Sequence, residues 1–502
     1  MLNLSQNKGF ALTFSLIFLF LIVSFMAVYI MVVANGLTLA NRTANQKKAY
    51  YVAEAGLADA YERIAQAGRN IIIPNPNTPF IPSPATDSGT YTIGTSSGHY
   101  TVTLALSSVP ATNYTIISTG TFGNATKTLQ LKISWASISK YAYWSQTESN
   151  PAFGGGLWWV GVGLPGLEMI TTGPVQTNGT LNILGNPIFN GVVAEANGDG
   201  GTTPNYYYGL APSSNPLASD PNIIFPDTIT NNASQVTLPP QTTLQLINSV
   251  AADGQGLILT GGPANSSGPS TSCPSGGCIP STVIFNPDGT ITVTGKVVDP
   301  SCKTIASYNN TTLPPPANGV VYIQSTSTIP ACNAPSQNDG NVTVQGTVSG
   351  QLTVAADQNI YISGNVAYND PPPRLGSTGG DPNSKDLLGL VAQNNVTVIE
   401  ASAPNQLELS AVMMAMTGSF QVDQWWVYRG DANTAVMDQF GSLINYVCGA
   451  TGEMDLSGNL WGGWNQIQSY DPRLAKISPP GFPPMINSSG QAVYSKLSIT
   501  EL

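Results

Sequence analysis

Between Lys8 and Arg42 the chain carries no charged residue, and within that gap Phe14 to Ala34 (FSLIFLFLIVSFMAVYIMVVA) is almost entirely apolar. As a helix rising 1.5 Å per residue, such a run spans about 30 Å, the thickness of a bilayer's hydrocarbon. A cleaved secretory signal has a shorter apolar region, about 7–15 residues, before a small-residue cut site. The run therefore reads as a single-pass membrane anchor, and Lys8 on its short flank keeps that end cytoplasmic. Helical pattern continues past it. From Leu37 to Ala67 there is no Pro and a single Gly, Gly56, while Tyr50, Ala53, Leu57, Ala60, Ile64 and Ala67 recur at helical steps. That is one apolar stripe, and Gly68 stands where a C-cap would. Unbroken from Phe10 to Ala67, the helix would be about 85–90 Å long.

A polar leader, Lys8-Gly9, and a hydrophobic helix running into an amphipathic one resemble a type IV prepilin. The matching residues are KGFALTFSLIFLFLIV (8–23) and AYYVAEAGLADAYERI (49–64), and the AEAG phrase at 53–56 is similar to that of PilX-type minor pilins. The resemblance implies cleavage by prepilin peptidase between Gly9 and Phe10 on the cytoplasmic face, with Phe10 as the mature, methylated N-terminus. An uncleaved signal anchor on a surface protein is the alternative. One position departs from the family: major pilins carry Glu at the fifth mature position, and here it is Phe14. A carboxylate in the bilayer costs a few kcal/mol unless paired. In pilins it is held to pair with the terminal amine of the subunit above, so a subunit with nothing above it has no use for one. Phe14 thus favours a minor, initiating or tip position over a repeating one.

Beyond residue 70 the texture changes. A Pro- and Asn-rich loop (71–89) precedes the alternating runs TYTIG, HYTVTLAL, NYTIISTGTF and ATKTLQLKIS, which read as an antiparallel meander. From about residue 145, short β-rich runs recur with no convincing helix. NVTVQG at 341, NIYISG at 359 and NVTVIE at 395 echo one another at steps of 18 and 36 residues. About 18 residues suits one rung of a parallel β-helix, and Asn at a rung corner tolerates left-handed backbone and can ladder its side chain. Segments 171–193, 387–399 and 468–483 are also similar to an uncharacterised domain often fused to PilX-type N-termini, which implies a relative but no reaction. The expected fold is mainly β with one long N-terminal α-helix. A small antiparallel β-domain is followed by a large right-handed parallel β-helix-like solenoid, with a β-sandwich as alternative. The expected boundaries are a leader (1–9), the transmembrane part of the helix (10–36) and its amphipathic extension (37–70). The small β-domain (71–138), the solenoid ectodomain (145–485) and a C-terminal tail (486–502) follow.

Charged residues make up 9% of the 502, with a net charge of −10. Counterion release needs clustered Lys and Arg, so no nucleic-acid partner is expected. All five Cys follow the anchor, where an oxidising compartment permits disulfides. CPSGGC can close as Cys273–Cys278, and Cys302 could then pair with Cys332, both within a Pro/Ser/Gly-rich excursion (263–336). Cys448, in the apolar LINYVCGA, is left as a buried thiol. With no CxxC pair and one His, His99, neither zinc nor any other cofactor is expected. GxSxG, P-loop and HExxH motifs are absent, and no catalytic residue is assigned. Asp288 and Asp339 fall in PDG and NDG turns. Asp381 and Asp386 (DPNSKD) are a weak calcium candidate, opposed by Lys385 and lacking EF-hand spacing. Trp158, Trp159, Trp425, Trp426, Trp461 and Trp464 are candidate surface aromatics for sugar stacking or a protein interface, with core filling as the plainer role.

The function that follows is a minor pilin or pseudopilin of a type IV pilus-like filament, at its tip or sparsely placed, acting in assembly initiation or adhesion. Its expected partners are other pilins through the N-terminal helix, prepilin peptidase, the membrane, and a surface glycan or protein. It would sit in the bacterial cytoplasmic membrane before assembly and in an extracellular filament or at the cell surface afterwards. The alternatives are a membrane-anchored surface adhesin outside any filament and an anchored glycan-active enzyme.

Overall fold

The computed structural model describes residues 7–502 except 68–85, 94–95, 107–112, 151–154, 157–158, 162–169, 186, 197–204, 209–210, 214–228, 232, 240–242, 253–254, 261–280, 330–331, 333–338, 375–378, 431–433, 455–459 and 487–492. One long helix, α1 (Asn7–Ala67), precedes an otherwise mainly β chain. Its expected cap, Gly68, lies outside the described residues.

The two halves of α1 live in different surroundings. From Leu12 to Leu39 its large apolar side chains are exposed, and it is the one helix among the described residues long and apolar enough to cross a membrane. Two of its hydroxyls bond back into the helix. Ser24 donates to Phe20 O at 2.8 Å and Thr38 to Ala34 O at 2.8 Å, which removes the cost of bare donors in hydrocarbon. The second half buries Ala49, Val52, Ala53 and Leu57 against Tyr100, Val102, Ile116, Phe122, Leu129, Leu131 and Ile133. Ala53 and Leu57 of the expected stripe lie in this seam, Tyr50 and Ala60 pack at its flank, and the side chains of Ile64 and Ala67 lie outside the described residues. The approach is close. A Cβ on Gly56 would lie 2.3 Å from Ser118 Oγ, and one on Gly120 would lie 2.3 Å from Ala53 N, so small residues set the contact line.

The sheet under α1 contains β1 (Thr86–Ile93), β2 (Ser96–Leu106), β3 (Asn113–Phe122) and β4 (Ala125–Trp135) in sequence order, all antiparallel. A fifth strand, Tyr494–Glu501, pairs with β4 through Tyr494↔Trp135 and Ile499↔Leu131. The expected tail 486–502 is thus a sheet strand at its C-terminal end. YSKLSITE alternates weakly, and only β4's open edge, more than 350 residues earlier, gives it a partner. Everything between β4 and that strand is an insertion into the small sheet. Its entry and exit run side by side: Met485 N–H donates to Ala136 O at 2.6 Å, and Ala136 N–H to Val493 O at 2.7 Å.

Parallel ladders dominate the insertion. Val342, Ile360, Val396 and Phe420 are successive register partners, at offsets of 18, 36 and 24 residues. The three echoed segments therefore lie side by side, and their leading Asn residues form a ladder. Asn359 N–H donates to Asn341 Oδ1 at 3.0 Å, Asn395 N–H to Asn359 Oδ1 at 3.0 Å, and Ser419 N–H to Asn395 Oδ1 at 2.9 Å. A second ladder aligns Leu390, Met413, Leu443, Tyr143, Val175 and Val193, all buried. Its order is not sequence order: the first strand of the insertion (Tyr143–Thr147) sits between Val436–Val447 and Val175–Thr177. The chain enters mid-stack, runs to Ile229–Asn231 at one end, and resumes at Leu257–Thr260 at the other.

A helix not expected from the sequence, α2 (Thr243–Ala252), lies in that connection and buries Leu244, Ile247 and Ala251 beside Val320, Tyr322 and Ala355. Its apolar residues recur at helical steps, but ten residues among turn formers are a faint signal. With α2 and Phe482 covering the outside, strands such as Leu387–Ala392 are buried on both faces, so LLGLVA is continuously apolar. Within the excursion 263–336, the described residues include a strand meander. Ser281–Phe285, Ile291–Val298 and Thr304–Leu313 form an antiparallel meander that buries Val283, Phe285, Ile291 and Val293.

Candidate functional site

Gly9 and Phe10 lie inside α1, with the Phe10 side chain outside the described residues, while Phe14 is exposed on the bare half of the helix. A helix with an uncharged, uncovered face through this region can exchange lipid for other helices, since packing rather than dehydration decides association in a membrane.

The six tryptophans divide. Trp158 is outside the described residues, and of Trp159 only the backbone, paired with Ile183, is described. Trp464 is in the core, not on the surface: it is 2% exposed, and its Nε1 donates to Pro404 O at 3.2 Å and Asn405 O at 3.1 Å. Trp425 is half-buried and packs on the same core. Trp426 (56% exposed), Tyr428 (67%) and Trp461 (63%) face outward. Trp425 and Trp426 occupy a turn rather than a strand, ring against ring edge-on at 5.7 Å. The Trp461 strand (Leu460–Gly463) abuts this turn. Gly463 N–H donates to Val427 O at 2.9 Å, and a Cβ on Gly462 would fall 2.6 Å from Trp426 Cα. Arg429 clamps the turn to the core. Its guanidinium lies 4.2 Å from the Trp464 ring and donates to Glu400 O at 2.9 Å and Ala403 O at 2.6 Å. Removal from water lowers its pKa, against the opposing pull of the Glu400 carboxylate.

Cys302 is disulfide-bonded to Cys332, while Cys273 and Cys278 lie outside the described residues. Cys448 is in no disulfide and is half-buried as a residue, with its thiol against Tyr143 and Glu148. Burial drives that thiol well above its usual pKa, reinforced by the Glu148 charge, so it is a poor thiolate. Tyr143 is raised for the same first reason. Glu148 is fully buried and accepts from Tyr143 Oη at 3.1 Å and from Ser145 Oγ.

Asp381 and Asp386 serve turn geometry. Asp381 is exposed and accepts from Asn383 N–H at 2.9 Å, whereas buried Asp386 accepts from Gly350 and Asp370 N–H at 2.7 Å each. Asp288 caps its hairpin through Thr290 N–H at 2.9 Å. Asp339 is buried and accepts from Thr326 N–H at 2.9 Å and from Ser325 Oγ. Beside it, Asp357 accepts from Ser325 N–H at 2.7 Å and from Tyr322 Oη. Burial raises the Asp357 pKa, these hydrogen bonds pull it back, and the Asp339 charge adds to the rise. Among the described residues, no group of three His, Cys, Asp or Glu is placed to hold a metal ion. His99 is exposed within β2, opposite Thr90 and Thr121. Sequence reasoning missed the Tyr143–Glu148–Cys448 and Asp339–Asp357 clusters. Only the ladder registers join Glu148 and Cys448, 300 residues apart in sequence.

No protein-family model matches the chain, and no curated protein sequence matches it. Among solved structures, the chain is similar to the competence-associated pilin ComZ from Thermus thermophilus. The match has 13% identity and a TM-score of 0.31, over 91% of this chain and 98% of that one. A superposition that loose carries no argument about what this chain does.

Proposed function

We propose that this protein is a minor subunit of a type IV pilus-like filament system, carrying a large parallel β-solenoid as an insertion in its small helix-backed sheet. The observation that supports it most is the division of α1. Its first half is apolar and uncovered, and its second half is docked by Ala49, Val52, Ala53 and Leu57 on an antiparallel sheet. In this reading the first half anchors the subunit in the cytoplasmic membrane, prepilin peptidase cuts between Gly9 and Phe10, and the freed helix packs among other pilin helices. The stacked parallel ladders and the Asn341–Asn359–Asn395 ladder support a solenoid over a sandwich of hairpins. Bulk supports a tip or sparse position, because an insertion of over 340 residues cannot repeat densely along a thin shaft. Phe14 in place of Glu supports the same placement. The subunit then primes assembly, contacts a surface, or does both, and no catalytic step belongs to this reading.

Mass spectrometry of the N-terminal peptide from the native cell tests it. A methylated start at Phe10 is the expected result. An intact Met1 start would overturn the filament reading and leave a membrane-anchored surface protein.

A further inference from the structure

We propose that Trp426, Tyr428 and Trp461 form a stacking site for neutral glycans. The inference rests on the reading above only for its cell-surface location; binding itself would be a property of the inserted domain. These three are more exposed than Tyr446, the other exposed aromatic among the described residues outside α1. They come from two segments, the 423–430 turn and the Leu460–Gly463 strand, joined by the Gly463–Val427 hydrogen bond and by the contact of Gly462 with the Trp426 backbone.

Their support is rigid. Trp425 braces Trp426 edge-on, and Arg429 ties the turn to buried Trp464 and to the carbonyls of Glu400 and Ala403. Rings exposed yet held in place lose little freedom on binding, so their contact area converts into affinity. The chemistry of the surroundings selects the occupant. A pyranose presents an apolar C–H face that stacks on an aromatic ring and a rim of hydroxyls that stays wet, which matches flat rings set among glycines and carboxylates.

Charge decides between glycan classes. Asp423 lies in the same turn, Glu400 beneath it, and Glu453 opposite Gly462 in register. The nearby cation, Arg429, is already engaged by Glu400 at 3.7 Å and by backbone carbonyls. An acidic or phosphorylated polymer would meet the Asp423 carboxylate of the turn with Arg429 already held by Glu400, whereas a neutral sugar meets none of that repulsion.

The test uses the full chain in detergent, run in native gels containing laminarin, galactomannan or yeast mannan, with alginate and heparin as anionic controls. Retardation by at least one neutral polysaccharide and by neither anionic one is expected. The Trp426→Ala/Trp461→Ala variant should bind about tenfold more weakly or worse. Its melting curve must overlay the wild type's; if it does not, Tyr428→Ala and Trp461→Phe take its place. No retardation by any neutral polysaccharide, retardation by the anionic ones alone, or equal retardation of folded variant and wild type would each overturn the site. None of these outcomes bears on cleavage at Gly9–Phe10, so the two readings fail separately.

Discussion

At Gly120 one missing methyl group decides how closely the helix can lie on its sheet. A Cβ there would fall 2.3 Å from Ala53 N and 2.5 Å from Ala49 O, both backbone atoms that cannot swing aside. Gly120→Val should therefore destabilise the small domain by about 1–3 kcal/mol, the range of overpacked cores. Urea unfolding of the detergent-solubilised chain would read it, and an unchanged midpoint would contradict the packing. Asp357 makes a pH prediction. Its folded pKa is raised, by burial first, so the protonated carboxyl contributes stability that is complete below about pH 4 and lost as pH rises through the folded value. Asp357→Asn removes that titration but keeps an oxygen for Ser325 N–H. The melting-temperature difference should move in the variant's favour from about pH 3 to about pH 7; a flat difference would show that Asp357 is not shifted. Neither residue was legible in the sequence. Gly120 reads as any strand glycine until α1 is placed, and Asp357 sits in an ADQN stretch that looks like solvated turn.

At the scale of elements, the Asn ladder is where sequence and structure agree in detail. Asn359 both donates to Asn341 and accepts from Asn395 N–H at 3.0 Å. Asn359→Ala leaves that N–H without its acceptor and should cost about 1–3 kcal/mol. Asn359→Asp keeps the acceptor and should cost less, measured by urea unfolding followed through tryptophan fluorescence. Equal losses in the two variants would mean that the ladder is incidental. The ladder was legible because identical side chains recur at a fixed step. The C-terminal strand was not, because pairing across so long an insertion leaves no local trace. Truncation after residue 492 bares the β4 edge. That chain should self-associate in size-exclusion chromatography where the full chain in the same detergent does not. Trp464 shows the limit of residue type as a guide. LWGGWNQ reads as two equivalent tryptophans, yet Trp461 is exposed and Trp464, three residues on and past Gly463 at φ +66°, fills the core.

At the scale of the whole molecule, the exposed first half of α1 and the packed remainder are energetically separate. Deleting residues 1–39 should yield a chain soluble without detergent, with stability changed by no more than about 0.5 kcal/mol, as for surface changes elsewhere. Loss of the folded state on that deletion, seen by circular dichroism, would show that the apolar segment belongs to the core. Elements whose signal is local and periodic follow from the residues alone. A charge-free apolar run of this length has no aqueous solution to its burial, alternation makes β1 to β4, and a repeated Asn-led phrase stacks on itself. Which elements meet is set only once the chain has folded. Closure of the small sheet by the last strand, entry of the insertion mid-stack beside its exit, and the gathering of Trp426, Tyr428 and Trp461 depend on contacts between distant segments. Their energies come from shape and register once the chain is folded, and nothing in neighbouring residues records them.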